Sequence, residues 1–391
     1  MKTHKIFYSA KPIGSIAKLA TALDFTEGFL RRVSTYTADY YTEFVKPVKG
    51  KDRELCEPKP NLKNLQKRIN TRIFSHIKFP LYLHGGIKTT DPRDFVSNAS
   101  QHCKSETAIA LDIKGFFPSI TTAQVHNIFK NLLNFPDDVS ALLANIVTLN
   151  GSLPQGAPTS SYISNLVMWE KEFRLVSRLE GRGLIYTRLI DDMTISSKSR
   201  IPEKLVTKII DDVAAMLKHY DYTLHPEKKK IFSKSDPKHL MLITGLWLNR
   251  GAPKILKEKR EEISQGVIET IRMASKPNTL FDPQYHAVHA TCSGKVALLQ
   301  RLGHTRAMRL RNMLNSVQPQ FSPEYCHKIS VLVRKFCAKG KVKSDLGNLK
   351  IFYNFQYKVS IVKRTDPVLA KKLQTSLNSI RPQATMRELN G

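Results

Sequence analysis

Two adjacent carboxylates, Asp191 and Asp192, stand between the apolar segments Leu184-Ile185-Tyr186 and Met193-Thr194-Ile195. Nothing else in the chain restricts its fold as much. Neighbouring charges repel, and apolar strands on either side leave them little water, so such a pair needs a counter-charge. Successive strand side chains point to opposite faces. A hairpin turn at Asp191-Asp192 relaxes that rule and can aim both at one place. A third carboxylate, Asp112, ends the apolar run Ala108-Ile109-Ala110-Leu111, which suits a buried strand. Oxygen-only ligands favour Mg²⁺ over zinc. Two Mg²⁺ ions held here would run an in-line phosphoryl displacement, one acidifying the attacking hydroxyl and the other neutralising a leaving pyrophosphate. Asp-Asp also occurs in ordinary solvated turns, so the surrounding sequence has to decide.

Charge says what kind of partner to expect. Over 391 residues, 62 Lys and Arg face 33 Asp and Glu, a formal net charge of +29. An enzyme for small metabolites has no need of that excess, whereas a polyanion does, because each neutralised phosphate releases counterions. Charge alone does not separate RNA from DNA or acidic lipid. Hydrophobic residues at 41% supply a real core, which excludes disorder as the main state. The length suggests two or three packed units. Cys56, Cys103, Cys292, Cys326 and Cys337 are scattered and form no CxxC pair. That argues against a disulfide framework or structural zinc and fits a reducing, cytoplasmic setting. Lys11 and Lys18 interrupt the only candidate signal segment. No apolar run approaches the ~20 residues of a membrane span, so no membrane partner is expected.

Periodicity predicts helices over Ile16–Val33, Asn61–Phe74, Thr121–Leu133, Ser160–Leu179, Val206–His219 and Gly294–Val317. It predicts strands over Tyr40–Phe44, Arg53–Pro58, Ala108–Ile113, Leu184–Ile190, Met193–Ser197 and Leu240–Leu248. Gly151–Pro158 reads as a loop. Composition places one boundary near Asn249–Pro253 and a weaker one near Gln318-Pro319.

Four segments then follow in a telling order: Leu111-Asp112-Ile113-Lys114-Gly115-Phe116-Phe117-Pro118, Leu153-Pro154-Gln155-Gly156-Ala157-Pro158-Thr159-Ser160, Tyr186-Thr187-Arg188-Leu189-Ile190-Asp191-Asp192 and Leu224-His225-Pro226-Glu227-Lys228. Their order and spacing resemble the palm motifs of reverse transcriptases. Asn98-Ala99-Ser100-Gln101-His102 and Ile243-Thr244-Gly245, with Ile where Val is usual, narrow the resemblance to bacterial retron reverse transcriptases. It covers roughly residues 15–315. One departure is Leu189, where the family usually has Tyr or Phe.

The resemblance implies an α+β right hand: N-terminal helices and fingers over 1–105, a palm with a small antiparallel sheet over 106–250, a helical thumb over 251–317 and a basic extension over 318–391. Asp112, Asp191, Asp192 and the Ile113 carbonyl would hold two Mg²⁺. Phe117 would be a steric gate against ribonucleotides, and Gln155 would contact the incoming nucleotide. Gly156 would let backbone approach the template. Arg53, Lys59, Lys63 and Lys228 would grip the dNTP triphosphate. Asn98 and His102, four apart and so on one helix face, would either recognise RNA or brace the active site. Arg301, Arg306 and Arg309 would contact RNA phosphates.

Members of the family copy a structured non-coding RNA into branched single-stranded DNA and stay bound to that product. The expected partners are therefore the cognate RNA, its DNA, dNTPs, a nearby-encoded effector protein for anti-phage defence and host ribonuclease H. Other bacterial reverse transcriptases (group II intron, diversity-generating or abortive-infection types) and a catalytically silent RNA-binding scaffold are the alternatives. In the extension, basic Lys339–Lys343 and aromatic Ile351–Phe355 suit either nucleic-acid stacking or an effector surface.

Overall fold

The computed structural model describes residues 4–48, 51–236, 240–340 and 346–382, without the side chains at 46, 48, 51–54 and 346. The chain divides into two compact units at Pro253/Lys254.

In the first unit, β1 (Phe7–Tyr8) precedes α1 (Ile16–Leu23) and α2 (Glu27–Thr35). The apolar pattern predicts one helix here, but two form. Asp24 turns left-handed at φ 54°, and Thr26 then caps α2 by accepting from the Phe29 N–H. Asp tolerates that conformation, and a Thr cap satisfies an amide that a continuous helix would not leave open. β2 (Tyr41–Val48) and β3 (Lys51–Pro58) form an antiparallel hairpin. α3 (Pro60–Arg72) starts on a proline whose missing N–H costs nothing there. β4 (Ile77–Lys78) pairs with β1.

The central sheet has the order β5-β7-β8-β6-β9, with β5 (Leu83–His84), β6 (Thr107–Asp112), β7 (Ile185–Leu189), β8 (Asp192–Ser197) and β9 (Lys230–Ser233). β5 runs parallel to β7, and the other pairings are antiparallel. Between β5 and β6 lies α4 (Phe95–Gln101), begun by a reciprocal Asp94–Ser97 capping box. After β6 come α5 (Phe116–Ser119), α6 (Thr122–Asn127) and α7 (Asp137–Val147). Thr121 and Gln124 form the capping box of α6. The predicted helix over Ser160–Leu179 is two, α8 (Ser160–Leu166) and α9 (Glu172–Glu180). α10 (Glu203–Lys218) joins β8 to the segment leading to β9. The predicted strand over Leu240–Leu248 is a hairpin of β10 (Leu242–Ile243) and β11 (Leu246–Trp247). Thr244 and Gly245, both at positive φ, make its turn.

The core of this unit is continuous from the N-terminal helices to α10. Phe129, fully buried, stacks on Phe74 and Phe135.

The second unit is helical: α11 (Lys257–Ala274), α12 (Pro283–Arg301), α13 (Ala307–Asn315), α14 (Pro323–Cys337), α15 (Leu346–Thr365) and α16 (Pro367–Ser379). The predicted helix over Gly294–Val317 breaks between α12 and α13, where Gly303 takes φ 66°. The aromatic run of the extension packs in part against its own unit. Phe352 is fully buried, and Tyr353 and Phe355 pack against the core that α14, α15 and α16 share. Lys339–Lys343 falls largely outside the described residues.

Truncating Phe129 to Ala removes a ring from a packed stack and leaves a void. A loss of about 3–5 kcal/mol is expected in urea unfolding of the protein.

Candidate active site

Asp112 closes β6 and Asp192 opens β8, and the antiparallel register sets them directly opposite each other. Asp191 sits in the turn between β7 and β8. Its carbonyl accepts the Ile113 N–H at 3.1 Å, which fastens the turn to the end of β6. The backbone beyond β6 is held too: the Asp112 carbonyl accepts from His225 N at 2.7 Å, and Lys114 N donates to the Thr223 carbonyl at 2.9 Å. The Ile113 side chain is buried. The sequence motifs carrying Asp112, Asp191 and Lys228 thus meet at one sheet end.

The electrostatics show what this cluster lacks. Asp192 is exposed by surface area, yet protein atoms crowd the cleft around it. That lost hydration, then the charges of Asp191 and Asp112, push its carboxyl up to about 7. Lys228 Nζ lies 2.8 Å from both Asp112 oxygens and faces this carboxylate directly. Among the described residues no three acidic, His or Cys side chains form a closed metal cage. The donor set still fits a divalent cation: oxygen ligands from two paired strands, an excess of negative charge, and an ammonium already standing where positive charge is needed.

Phe116 and Phe117 lie on α5 rather than on a strand. Phe116 is buried edge-on against Tyr222, and Phe117 is half-buried. Gln155 lies at a cleft of about 710 Å³ that Pro118, Leu55, Cys56 and Phe44 also line. Its carbonyl accepts the Cys56 N–H at 2.9 Å, which joins the loop to β3. Gly156 has φ 114°, and a Cβ there would come 3.0 Å from the Cys56 carbonyl. Its smallness therefore serves the approach of β3.

Lys59 Nζ donates to the Asp39 carbonyl at 2.7 Å, and Lys63 pairs with exposed Glu57 at 2.7 Å. Arg53 lies on β3 opposite Lys46, and its side chain is outside the described set. Arg301, Arg306 and Arg309 are exposed in the second unit, on or beside α12 and α13.

Asn98 and His102 do not offer themselves to RNA: both are fully buried. His102 lies 2.7 Å from the Ser196 and Thr187 hydroxyls through its two ring nitrogens, and Asn98 Nδ2 donates to Thr187 Oγ1 at 2.9 Å. They brace β7 and β8 from behind. Burial, then the neighbouring His84, pulls His102 down to about 3, so it is neutral. The hairpin element Ile243-Thr244-Gly245 belongs to the same brace, since the Thr244 hydroxyl donates to the Phe95 carbonyl at 2.9 Å where α4 begins.

Sequence reasoning missed the largest fully buried side chain, Arg188. It forks onto Glu172, with Nε to Oε1 at 2.6 Å and Nη2 to Oε2 at 2.8 Å, and Tyr186 donates to the same carboxylate at 2.8 Å. Burial pulls the guanidinium down, but the Glu172 charge outweighs it and holds the group above its ordinary range. The available signal was an arginine inside an apolar strand, which must have a buried partner.

An acidic turn at the end of a four-stranded antiparallel ladder, with a lysine paired to one of its carboxylates, is the arrangement expected of a right-hand polymerase. A family profile described as reverse transcriptase (RNA-dependent DNA polymerase) matches residues 45–259. Retron Se72 reverse transcriptase of Salmonella heidelberg is 35% identical over 96% of this chain and 98% of its own. Retron Ec48 reverse transcriptase of Escherichia coli is 30% identical over 80% of this chain and 78% of its own. The chain belongs to the retron reverse transcriptases and is an RNA-directed DNA polymerase. Its family works with divalent metal ions. Among the described residues no helix is long and apolar enough to cross a membrane.

Two outcomes are expected. Asp192→Asn relieves carboxylate repulsion, so the metal-free variant should melt a few degrees above the parent while losing DNA synthesis. Neutral His102 contributes stability that is present above its ordinary pKa of 6.5 and is lost as pH falls toward about 3. In urea melts, that residue's share of the loss should be about 2 kcal/mol between about pH 7 and pH 5, and His102→Gln should remove it.

Proposed function

We propose that this enzyme copies a structured non-coding RNA from its own locus into branched single-stranded DNA, and that it stays bound to the resulting RNA–DNA hybrid. The pairing of Asp112 with Asp192 across β6 and β8, with Asp191 in the adjoining turn, carries the chemical part of this reading. The retron part rests on the match along 96% of the chain.

Asp112, Asp191, Asp192 and the Ile113 carbonyl would hold two Mg²⁺, which when bound supply charge neutralisation and a more acidic 3′-hydroxyl (for branching, a 2′-hydroxyl). The chain's own side chains do the rest. Lys228, released from Asp112, meets the triphosphate and can give a proton to the departing pyrophosphate. Phe117 narrows the space beside the sugar and rejects a 2′-hydroxyl. Gln155 positions the nucleotide at the cleft. Arg53, Lys59 and Lys63 of the fingers close on its phosphates, Lys59 and Lys63 leaving the contacts they now make.

In this reading residues 1–105 contain the fingers, 106–250 the palm and 251–317 the thumb, where Arg301, Arg306 and Arg309 take RNA phosphates. The extension over 318–391 serves the partners. These are the cognate RNA, its DNA, a nearby-encoded effector protein active in anti-phage defence, and a host ribonuclease H that trims template. The setting is the cytoplasm.

The test is the nucleic acid that co-purifies with protein expressed from its native locus, treated with RNase, DNase and debranching enzyme. A DNase-sensitive species that shifts on debranching, and is absent from an Asp191→Asn/Asp192→Asn variant, is expected. DNA without a branch would overturn the branched product, and RNA alone in both preparations would overturn the copying of this RNA. For the gate, Phe117→Ala should raise ribonucleotide incorporation on a primer–template by roughly 10-fold or more, from the loss of one steric contact.

A further inference from the structure

Arg188 reaches beyond its ion pair. A guanidinium has five N–H donors, and here five hydrogen bonds are made. Three hold it in place: the two to Glu172, and one from Nη2 to the Asn165 carbonyl at 3.2 Å. Nη1 donates to the Ser164 carbonyl at 3.1 Å and to the Ile190 carbonyl at 2.9 Å. Ser164 and Asn165 belong to α8, the helix that follows the Gln155 loop. Ile190 is the residue just before Asp191. One planar group therefore links the nucleotide-side helix to the carboxylate turn.

Ile190 stands at φ 60°. A β-branched residue rarely takes that conformation, and it persists only where its surroundings over-determine it. Its neighbours supply part of that restraint: a Cβ on Gly85 would come 2.8 Å from Leu189 Cδ1 and 3.2 Å from Ile190 Cγ1. The Ile190 carbonyl, which accepts from Arg188 at 2.9 Å, is a further restraint.

We propose that Arg188 is the positioning residue of the carboxylate turn. By holding the Ile190 carbonyl it fixes the direction in which Asp191 and Asp192 leave the β7–β8 hairpin, and it keys that direction to α8. The inference rests on the reading of these aspartates as catalytic. Lysine cannot replace arginine here, because its three donors radiate from a point and cannot fork onto Glu172 while spanning to Ile190. A merely structural ion pair makes a different forecast, since apolar residues of similar volume often replace a buried pair without loss of stability.

The test uses the full-length protein with its cognate RNA and primer extension under saturating Mg²⁺. Arg188→Met/Glu172→Leu removes both charges together, Arg188→Lys keeps the charge without the fork, and Asp191→Asn is the control. The paired variant should melt close to the parent, with kcat down roughly 100-fold and KM for dNTP within about threefold, as for a displaced reacting group. Arg188→Lys should lose at least about 10-fold in kcat in the same way. A folded variant of either kind that keeps kcat within about twofold of the parent would overturn the proposal, as would a loss confined to KM. Should the paired variant not fold, Arg188→Lys decides on the same terms. Full activity in Asp191→Asn would instead sink the catalytic reading of the aspartates, a result distinct from any outcome at Arg188.

Discussion

The buried pair of Arg188 and Glu172 is the contact on which the arrangement of the palm depends. Taking two charges out of water costs several kcal/mol for each ion, and attraction repays this only when geometry and remaining hydrogen bonds are complete. Here they are complete: the fork is closed, Tyr186 adds a donor to Glu172, and the spare guanidinium protons find the carbonyls of Ser164, Asn165 and Ile190. The partners come from α8, α9 and β7. One ion pair thus sets the distance between two helices and the strand that carries the acidic turn. Loss of either member would strand the other charge in the core, at a cost of about 3–5 kcal/mol.

The sheet separates two kinds of polarity. At its end lie carboxylates that repel one another and raise Asp192. Behind it lies a neutral network in which His84 meets Ser97, and Asn98 and His102 meet Thr187 and Ser196. Neutrality of the imidazoles is what burial demands. The network can be rigid without adding charge near the acids, and its anchor at Phe95 and Thr244 brings the β10–β11 hairpin into the same framework.

Much of this was legible in the sequence because acids in apolar strands are costly and therefore conspicuous. Asp112, Asp191 and Asp192 were found that way, and Lys228 joined them through its motif. The basic excess pointed to a polyanion and the resemblance to a polymerase. What could not be read was direction. Asn98 and His102 share a helix face in any helix, but only the packing of α4 on β7 and β8 turns that face inward. Arg188 stands beside the acids in sequence, and its partner Glu172 lies one helix away with no spacing rule to announce it. Helix breaks were hidden for a simpler reason. Apolar periodicity continued across Asp24 and Gly303, while the caps and left-handed residues that stop a helix are single positions inside it.

The contact of Lys228 with Asp112 gives the acidic end of the sheet a counter-charge from within the chain. A polymerase whose acids depended wholly on bound cations would be least stable when newly made. Here an internal ammonium occupies one carboxylate from the moment the chain folds. In the proposed mechanism, a cation entering beside Asp112 would compete with a tethered ammonium rather than meet a bare carboxylate. Because the ammonium is half exposed, salt screens this internal neutralisation, so the acidic end of the sheet has a counter-charge whose strength follows ionic conditions.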